Sequence, residues 1–351
     1  MRVPRIAGVD LSWAVALIFV LPASAFIHFS NFNDGFDAYN FELFTDFFFA
    51  LLFFSHGVSA GTLISAVSSN ERVNRYFMVQ GLFYLFLGVP MDYFFSVNFL
   101  MILGVYYITA RVAVYLDNQI VRFMIVILVV AGIFLYAFGQ SDLLIETGGS
   151  LTLVDKVLLH LAEHHFNIVY WLPIFLSGVL FSRADFQSGR KHREIRLMAF
   201  MLIFFGFVLH VLGMRLFHTT SGFATIWGFR LSVSLPAFYS FSIGSCQLLV
   251  VTFERFYRKS ANRSIWSGML NVGRLHLASF LLMAVAACIL TLIVDTAHHP
   301  RLWATLISLP LMAVLLFVTA SRKFKDPLLF FSKVTFSKAG DDDDIQASGR
   351  K

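Results

Sequence analysis

Apolar residues in this chain do not alternate with polar ones; they come in long runs divided by short polar connections. Ten runs fall near 11–29, 45–68, 76–91, 96–115, 121–139, 166–182, 197–216, 229–253, 276–294 and 303–320. An α-helix needs about 20 mainly apolar residues to cross a bilayer. The pattern therefore predicts an all-α, polytopic membrane protein of about ten transmembrane helices. The third and fourth runs are separated only by a tight turn around Pro90 and Asp92 in GVPMDYFFSVNF. The connection from Gln140 to His165 is longer and different in kind. Leu151, Leu153, Val154, Val157, Leu158 and Leu161 recur there at helical spacing among Asp155, Lys156, His160, Glu163 and His164, which predicts an amphipathic helix lying on the outer membrane surface.

Charge orients this frame. With both termini cytoplasmic, 23 of the 27 Lys and Arg fall on inner segments, leaving Lys156, Arg215, Arg230 and Arg301 outside. That is the asymmetry membrane insertion requires, and it accounts for the net charge of +6 with no nucleic-acid partner implied. Composition agrees, at 58% hydrophobic and 14% charged residues, far from the balance of a soluble domain. Cys246 and Cys288 both lie inside apolar runs, so no disulfide framework is expected. The opening MRVPR, its apolar core and Ala23-Ser24-Ala25 have the outline of a signal peptide, but Asp10 interrupts the approach to that core, and a retained first helix is expected. At the other end, SKAGDDDDIQASGRK carries four consecutive acids without apolar period. Residues 326–351 read as a disordered cytoplasmic tail behind a membrane domain of 1–325.

Ionisable groups within apolar runs are the first candidates for chemistry, because each costs about 3 kcal/mol at the bilayer centre unless it faces protein or water. Asp10 and His28 bound the first run; Asp46 opens the second, and His56 lies near its middle. His28, His160, His164, His165, His218, His298 and His299 all fall at the outer boundary of the predicted topology. Histidine there serves either as an interfacial polar residue or as an acid and base working near neutral pH. Arg215 and Arg230 bracket the outer segment HTTSGFATIWG; they suit an anionic substrate or an acid such as Asp46 or Asp92, or simply snorkel to headgroups. His160, Glu163 and His164 form H-x-x-E-H, the order of inverted zinc peptidases. The motif identifies no third ligand, which His298, His299 or Asp295 would supply only if the last outer connection folds back, and no resident metal is expected. Neither a Gly-rich phosphate loop nor a CxxC pair occurs.

The opening hairpin resembles the transmembrane acyltransferase superfamily, including its heparan-glucosaminide acetyltransferase-like members. Arg5, Ile6, Asp10, Ala14 and AVALIFVLPASAF are similar to that family's first motif; FFFALLFFSHGVSAG, with Gly57 and Gly61, is similar to its second. GLFYLFLGVPMDYFFSVNFLMILGVYYITA resembles its paired helices around an acid, here Asp92. WLPIFLSGVLFSR, with Gly178 and Arg183, and Gly273-Arg274 in GRLHLASF resemble later elements. The arginine and glycine that follow the family's aspartate are absent from DLSWA, where Trp13 and Ala14 stand. The resemblance implies transfer of an acyl group, commonly acetyl, from cytoplasmic acyl-CoA as co-substrate to an extracytoplasmic glycan or lipid-linked sugar, with no tightly bound cofactor. It implies a multi-pass protein of the bacterial inner membrane. His28, His56 and Asp46 would then be catalytic, with His28 or His56 as base; Arg72, Arg75, Arg111 and Arg122 would hold the donor's phosphates. Asp92, His160, His164, Arg215, His218 and Arg230 would line the acceptor side.

Two other readings use the same residues. A non-catalytic transporter or assembly partner for an exported polysaccharide or lipid would use the polar groups as a pathway. A metal- or haem-binding membrane protein would be built on the outer histidines.

Overall fold

The computed structural model of the chain describes residues 6–28, 35–66, 70–95, 99–113, 115–139, 168–184, 189–217, 223–226, 229–232, 234–259 and 263–274. Among the described residues lie nine helices: α1 (Ala7–His28), α2 (Gly35–Ala66), α3 (Asn70–Phe95), α4 (Phe99–Ala113), α5 (Asn118–Gly139), α6 (Ile168–Arg183), α7 (Gly189–Phe217), α8 (Ser234–Lys259) and α9 (Arg263–Arg274). Between α7 and α8, β1 (Phe223–Ile226) and β2 (Phe229–Ser232) form a two-stranded antiparallel hairpin in which Ile226 pairs with Phe229 and Phe223 with Ser232.

Among the described residues three stretches are long and apolar enough to cross a membrane: Asp46–Ser65 in α2, Lys191–Leu212 in α7 and Pro236–Lys259 in α8. Shorter apolar helical stretches cover Ala7–Phe19, Phe99–Ala113, Asn118–Gly132 and Val169–Arg183. Several boundaries differ from those expected. α3 continues through Pro90 and Asp92 to Phe95, so that pair is helical and not the turn between the third and fourth runs. α7 begins at Gly189, eight residues ahead of the run at 197, on a basic segment that a helix leaving lipid can carry. The eighth run does not begin as a helix: Phe229–Ser232 is strand, and α8 starts at Ser234, where Pro236 suits a helix's first turn. The polar connection before the second run is largely helical, since α2 begins at Gly35. The surface helix expected from Leu151, the spans expected at 276–294 and 303–320, and the tail lie outside the described residues.

Local signals account for helix starts. The Val121 N–H donates to the Asp117 carbonyl at 3.0 Å, and aspartate is a favoured residue just before a helix. In α1 the Val9 and Asp10 N–H groups both donate to the Ile6 carbonyl, at 3.0 and 3.2 Å, and the acid of Asp10 lies in the first turn, where the helix dipole favours it.

α2 is the central helix: 78% of its membrane-crossing stretch is buried, against 11% for that of α7. α6 packs along α2, with Trp171, Ile174, Phe175 and Val179 fully buried. α3 and α4 form one antiparallel hairpin and α7 and α8 another; α1 packs on α2, α8 and α9. Val79, Leu82, Phe86 and Val89 of α3 and Phe123, Val126, Ile127 and Val130 of α5 point outward. Continuous exposed apolar surface of this kind is what lipid covers.

In lipid, apolar burial does little to hold helices together, so close packing must. A Cβ on Gly57 of α2 would collide with the Phe175 carbonyl of α6, and one on Gly178 with the Phe54 carbonyl of α2. Gly81 and Gly104 oppose each other in the same way, each hypothetical Cβ lying 2.7–2.8 Å from the other's carbonyl oxygen.

Arg183 closes one end of this bundle. Its guanidinium donates to the carbonyls of Ala113 at 2.5 Å and Leu116 at 2.9 Å and to Asn118 Oδ1 at 2.9 Å, so one side chain caps α4 and ties its turn into α5. Hydrogen bonds from a charged group contribute about 1.5–3 kcal/mol each, and less when half exposed and sharing one side chain. Arg183→Ala is therefore expected to lower stability by about 2–3 kcal/mol in thermal unfolding of the detergent-purified protein. Arg183→Lys should recover less than half, because a point ammonium cannot serve three acceptors as the planar fork does; full recovery would show that charge rather than the fork matters.

Candidate functional site

α3 carries a buried stripe at helical spacing, Val73, Phe77, Gln80 and Tyr84, opposite the lipid-facing stripe just described. Gln80 hydrogen-bonds the Tyr84 hydroxyl one turn on. α4 adds Tyr106 and Tyr107, both buried. Between these helices and α1 sits His56 of α2, 2% exposed, with its Nδ1 3.1 Å from the Tyr107 hydroxyl. The Trp13 ring of α1 lies 4.9 Å from the imidazole centroid, and Tyr84 stands nearly perpendicular to it at 6.1 Å. Phe77 and Phe175 pack on the far side of Tyr107, at 5.9 and 6.1 Å. Four helices thus converge on one buried imidazole with an oxygen partner. Such a group can take up and return a proton, and the Tyr107 contact fixes its ring orientation whichever of the two atoms donates.

The helix ends on the side toward which Tyr107 leads are tied together. Asn74, near the start of α3, donates to the Tyr115 hydroxyl just past α4, and Arg183 joins the end of α6 to the start of α5. Gly61, near the end of α2, abuts Val179 and Ser182 of α6. At the start of α1 the Gly8 N–H donates at 2.8 Å to Oε2 of Glu254, a buried residue near the end of α8, whose Oε1 accepts from Arg258 Nε at 2.8 Å. Close by, α9 crosses α1 so tightly that a Cβ on Gly273 would strike the Asp10 carbonyl. Starts of α1, α3 and α5 and ends of α2, α4, α6 and α8 therefore share one end of the molecule. Arg75 and Arg122 are exposed there and Arg111 half-buried. Arg111 follows Tyr107 by one turn, about 6 Å along the axis. Arg72 belongs to the same turn of α3, its side chain outside the described residues.

The expected outer residues are less gathered. Asp46 is half-buried, ten residues from His56 on α2, about 15 Å along the axis. His28 ends α1. Phe19 of α1 stacks on Phe48 of α2 at 5.1 Å, and counting outward from that level puts the His28 backbone about 10 Å beyond that of Asp46. Asp92 belongs to α3, Arg215 to α7, and Arg230 to β2 opposite Thr225; their side chains, like His160, His164 and His218, lie outside the described residues. Among the described residues no three His, Cys, Asp or Glu side chains come together to hold a metal ion.

Sequence reasoning missed Tyr107, Tyr84, Gln80 and Glu254. The spacing of Phe77, Gln80 and Tyr84 marks an inward stripe containing polar groups, a signal present in the chain; the Glu254 contact with Gly8, 246 residues away, has no such signal. Compared with models of known protein families and with characterised proteins, the chain matches none.

Proposed function

We propose that the chain is a multi-pass protein of the bacterial inner membrane, with about ten spans and both termini cytoplasmic, and that it transfers an acyl group, most simply acetyl. The donor is cytoplasmic acyl-CoA and the acceptor a hydroxyl or amine of an extracytoplasmic glycan or lipid-linked sugar. The observation that carries this reading is the buried His56–Tyr107 pair one turn from the basic helix ends. Arg72, Arg75, Arg111 and Arg122 would bind the donor's phosphates. A histidine base, His56 or His28, takes the acceptor's proton as the acceptor attacks the thioester carbonyl; the C–S bond breaks, and the coenzyme A thiolate leaves and takes up a proton. Asp46, Asp92, His160, His164, Arg215, His218 and Arg230 belong to the acceptor side.

The test is thermal unfolding of the purified protein with saturating acetyl-CoA, coenzyme A serving as control. Ligand at 100 times its dissociation constant stabilises by about 2.7 kcal/mol, so a clear rise in Tm is expected. Well-folded protein whose Tm moves with neither compound would sink the donor site and favour a transporter or assembly partner for an exported polysaccharide or lipid.

A further inference from the structure

The inner end of the α7–α8 hairpin carries charge that the bundle does not use. A Cβ on Gly244 of α8 would lie 2.7 Å from the Ala199 carbonyl of α7, and one on Gly206 2.8 Å from the Ala237 carbonyl. This register brings the last turn of α8 to within about 10 Å, along the axis, of the first turn of α7. Lys191 and Arg193 on α7 and Arg255, Arg258 and Lys259 on α8 are exposed there, and Arg196 is half-buried. Among the described residues these helix ends carry two acids: Glu254, occupied by Gly8 and Arg258, and the exposed Glu194.

The placement also runs against helix electrostatics. The N-terminal end of a helix is its positive pole and stabilises anions; the first turn of α7 holds no acid, and Lys191 and Arg193 fall at its start. Cations at the positive pole of a helix are better satisfied by an anion from outside the chain. Immediately above the cations α7 exposes Leu197, Met198, Phe200, Met201 and Phe204, and only 11% of its membrane-crossing stretch is buried. A phosphate level with the cations and hydrocarbon alongside the apolar flank match a single kind of molecule.

We propose that the inner end of the α7–α8 hairpin is a binding site for anionic glycerophospholipid, with Lys191, Arg193, Arg255 and Lys259 around the level of the headgroup phosphates and the flank of α7 against the acyl chains. This site does not depend on the acyl-transfer reading. The experiment is native mass spectrometry of the full chain in detergent, with equimolar phosphatidylglycerol and phosphatidylcholine, on wild type, on Lys191→Gln/Arg193→Gln/Arg255→Gln/Lys259→Gln, and on the charge-keeping Lys191→Arg/Arg193→Lys/Arg255→Lys/Lys259→Arg. Wild type and the charge-keeping variant should retain phosphatidylglycerol in preference, and the glutamine variant should lose at least a hundredfold of that preference. Soluble glycerol 3-phosphate should fail to displace the lipid. Equal retention of both lipids by wild type, unchanged preference in the glutamine variant, or full displacement by glycerol 3-phosphate would each overturn the proposal. Should the glutamine variant not fold, the wild-type comparison decides alone.

Discussion

Gly178→Leu is expected to yield almost no folded protein after extraction into detergent. The first added carbon collides with the Phe54 carbonyl, and Val58 N lies 2.9 Å from where it would sit. Both obstacles are backbone of the central helix, so neither can swing aside as a side chain would. Overpacking a core commonly costs 1–3 kcal/mol; separating α6 from α2 also loosens Phe53, Trp171 and Phe175, and more than about 4 kcal/mol is expected, a value reserved for the loss of a structural device. Gly178→Ala should fall between wild type and leucine, because its single carbon meets the same atoms. Phe204→Leu on the lipid-facing side of α7 should change stability by no more than about 0.5 kcal/mol. Monodisperse yield and Tm measure all three, and an unchanged Tm for the leucine variant would contradict the α2–α6 spacing.

If the proposed acyl transfer is this chain's activity, His56→Ala is expected to lower it at least a hundredfold, the lower end of what a positioned general base contributes. The rise in Tm on adding acetyl-CoA should survive, since the donor's phosphates are assigned to arginines at the inner helix ends. A hydrogen bond between membrane helices is worth about 0.6–1.7 kcal/mol, so losing the Tyr107 contact leaves the fold standing. His28→Ala tests the rival base. If His28→Ala abolishes transfer while His56→Ala keeps it, the proton is taken at the outer end of α1, and His56 is a packing residue among Trp13, Tyr84 and Tyr107.

Run length in the sequence marked most of the described helices because each apolar run is far longer than a strand. Their ends were less readable. Gly35–Glu42 is helical although Asp37, Asn40 and Glu42 make it polar, since a helix rising out of lipid needs no apolar period. β2 was taken into a span, and β1 into the outer connection before it, because Phe229 and Leu231 look the same in a strand as in a membrane helix; Trp227-Gly228, two residues between β-favouring segments, was the available hairpin signal. Gly57 and Gly61 were legible only as part of the family-like second motif; that Gly57 packs on Gly178, and Gly61 on Val179 and Ser182, depends on a helix more than a hundred residues away. His56 was conspicuous as a lone ionisable residue in an apolar run. Tyr107 was not, because tyrosine is common at membrane boundaries and its pairing depends on how α4 is rotated against α2.

The length of α4 has a consequence for how the protein meets membranes of different thickness. Its 15 residues reach about 22 Å, short of the roughly 30 Å of hydrocarbon in a typical membrane. Of those residues only Val112 is exposed, so protein and not lipid surrounds the helix. A mismatch in length acts on helices that touch lipid, and a helix shielded on all sides is free of it. A change of bilayer thickness should therefore act on the exposed α7 before it reaches the helix that supplies the oxygen partner of His56.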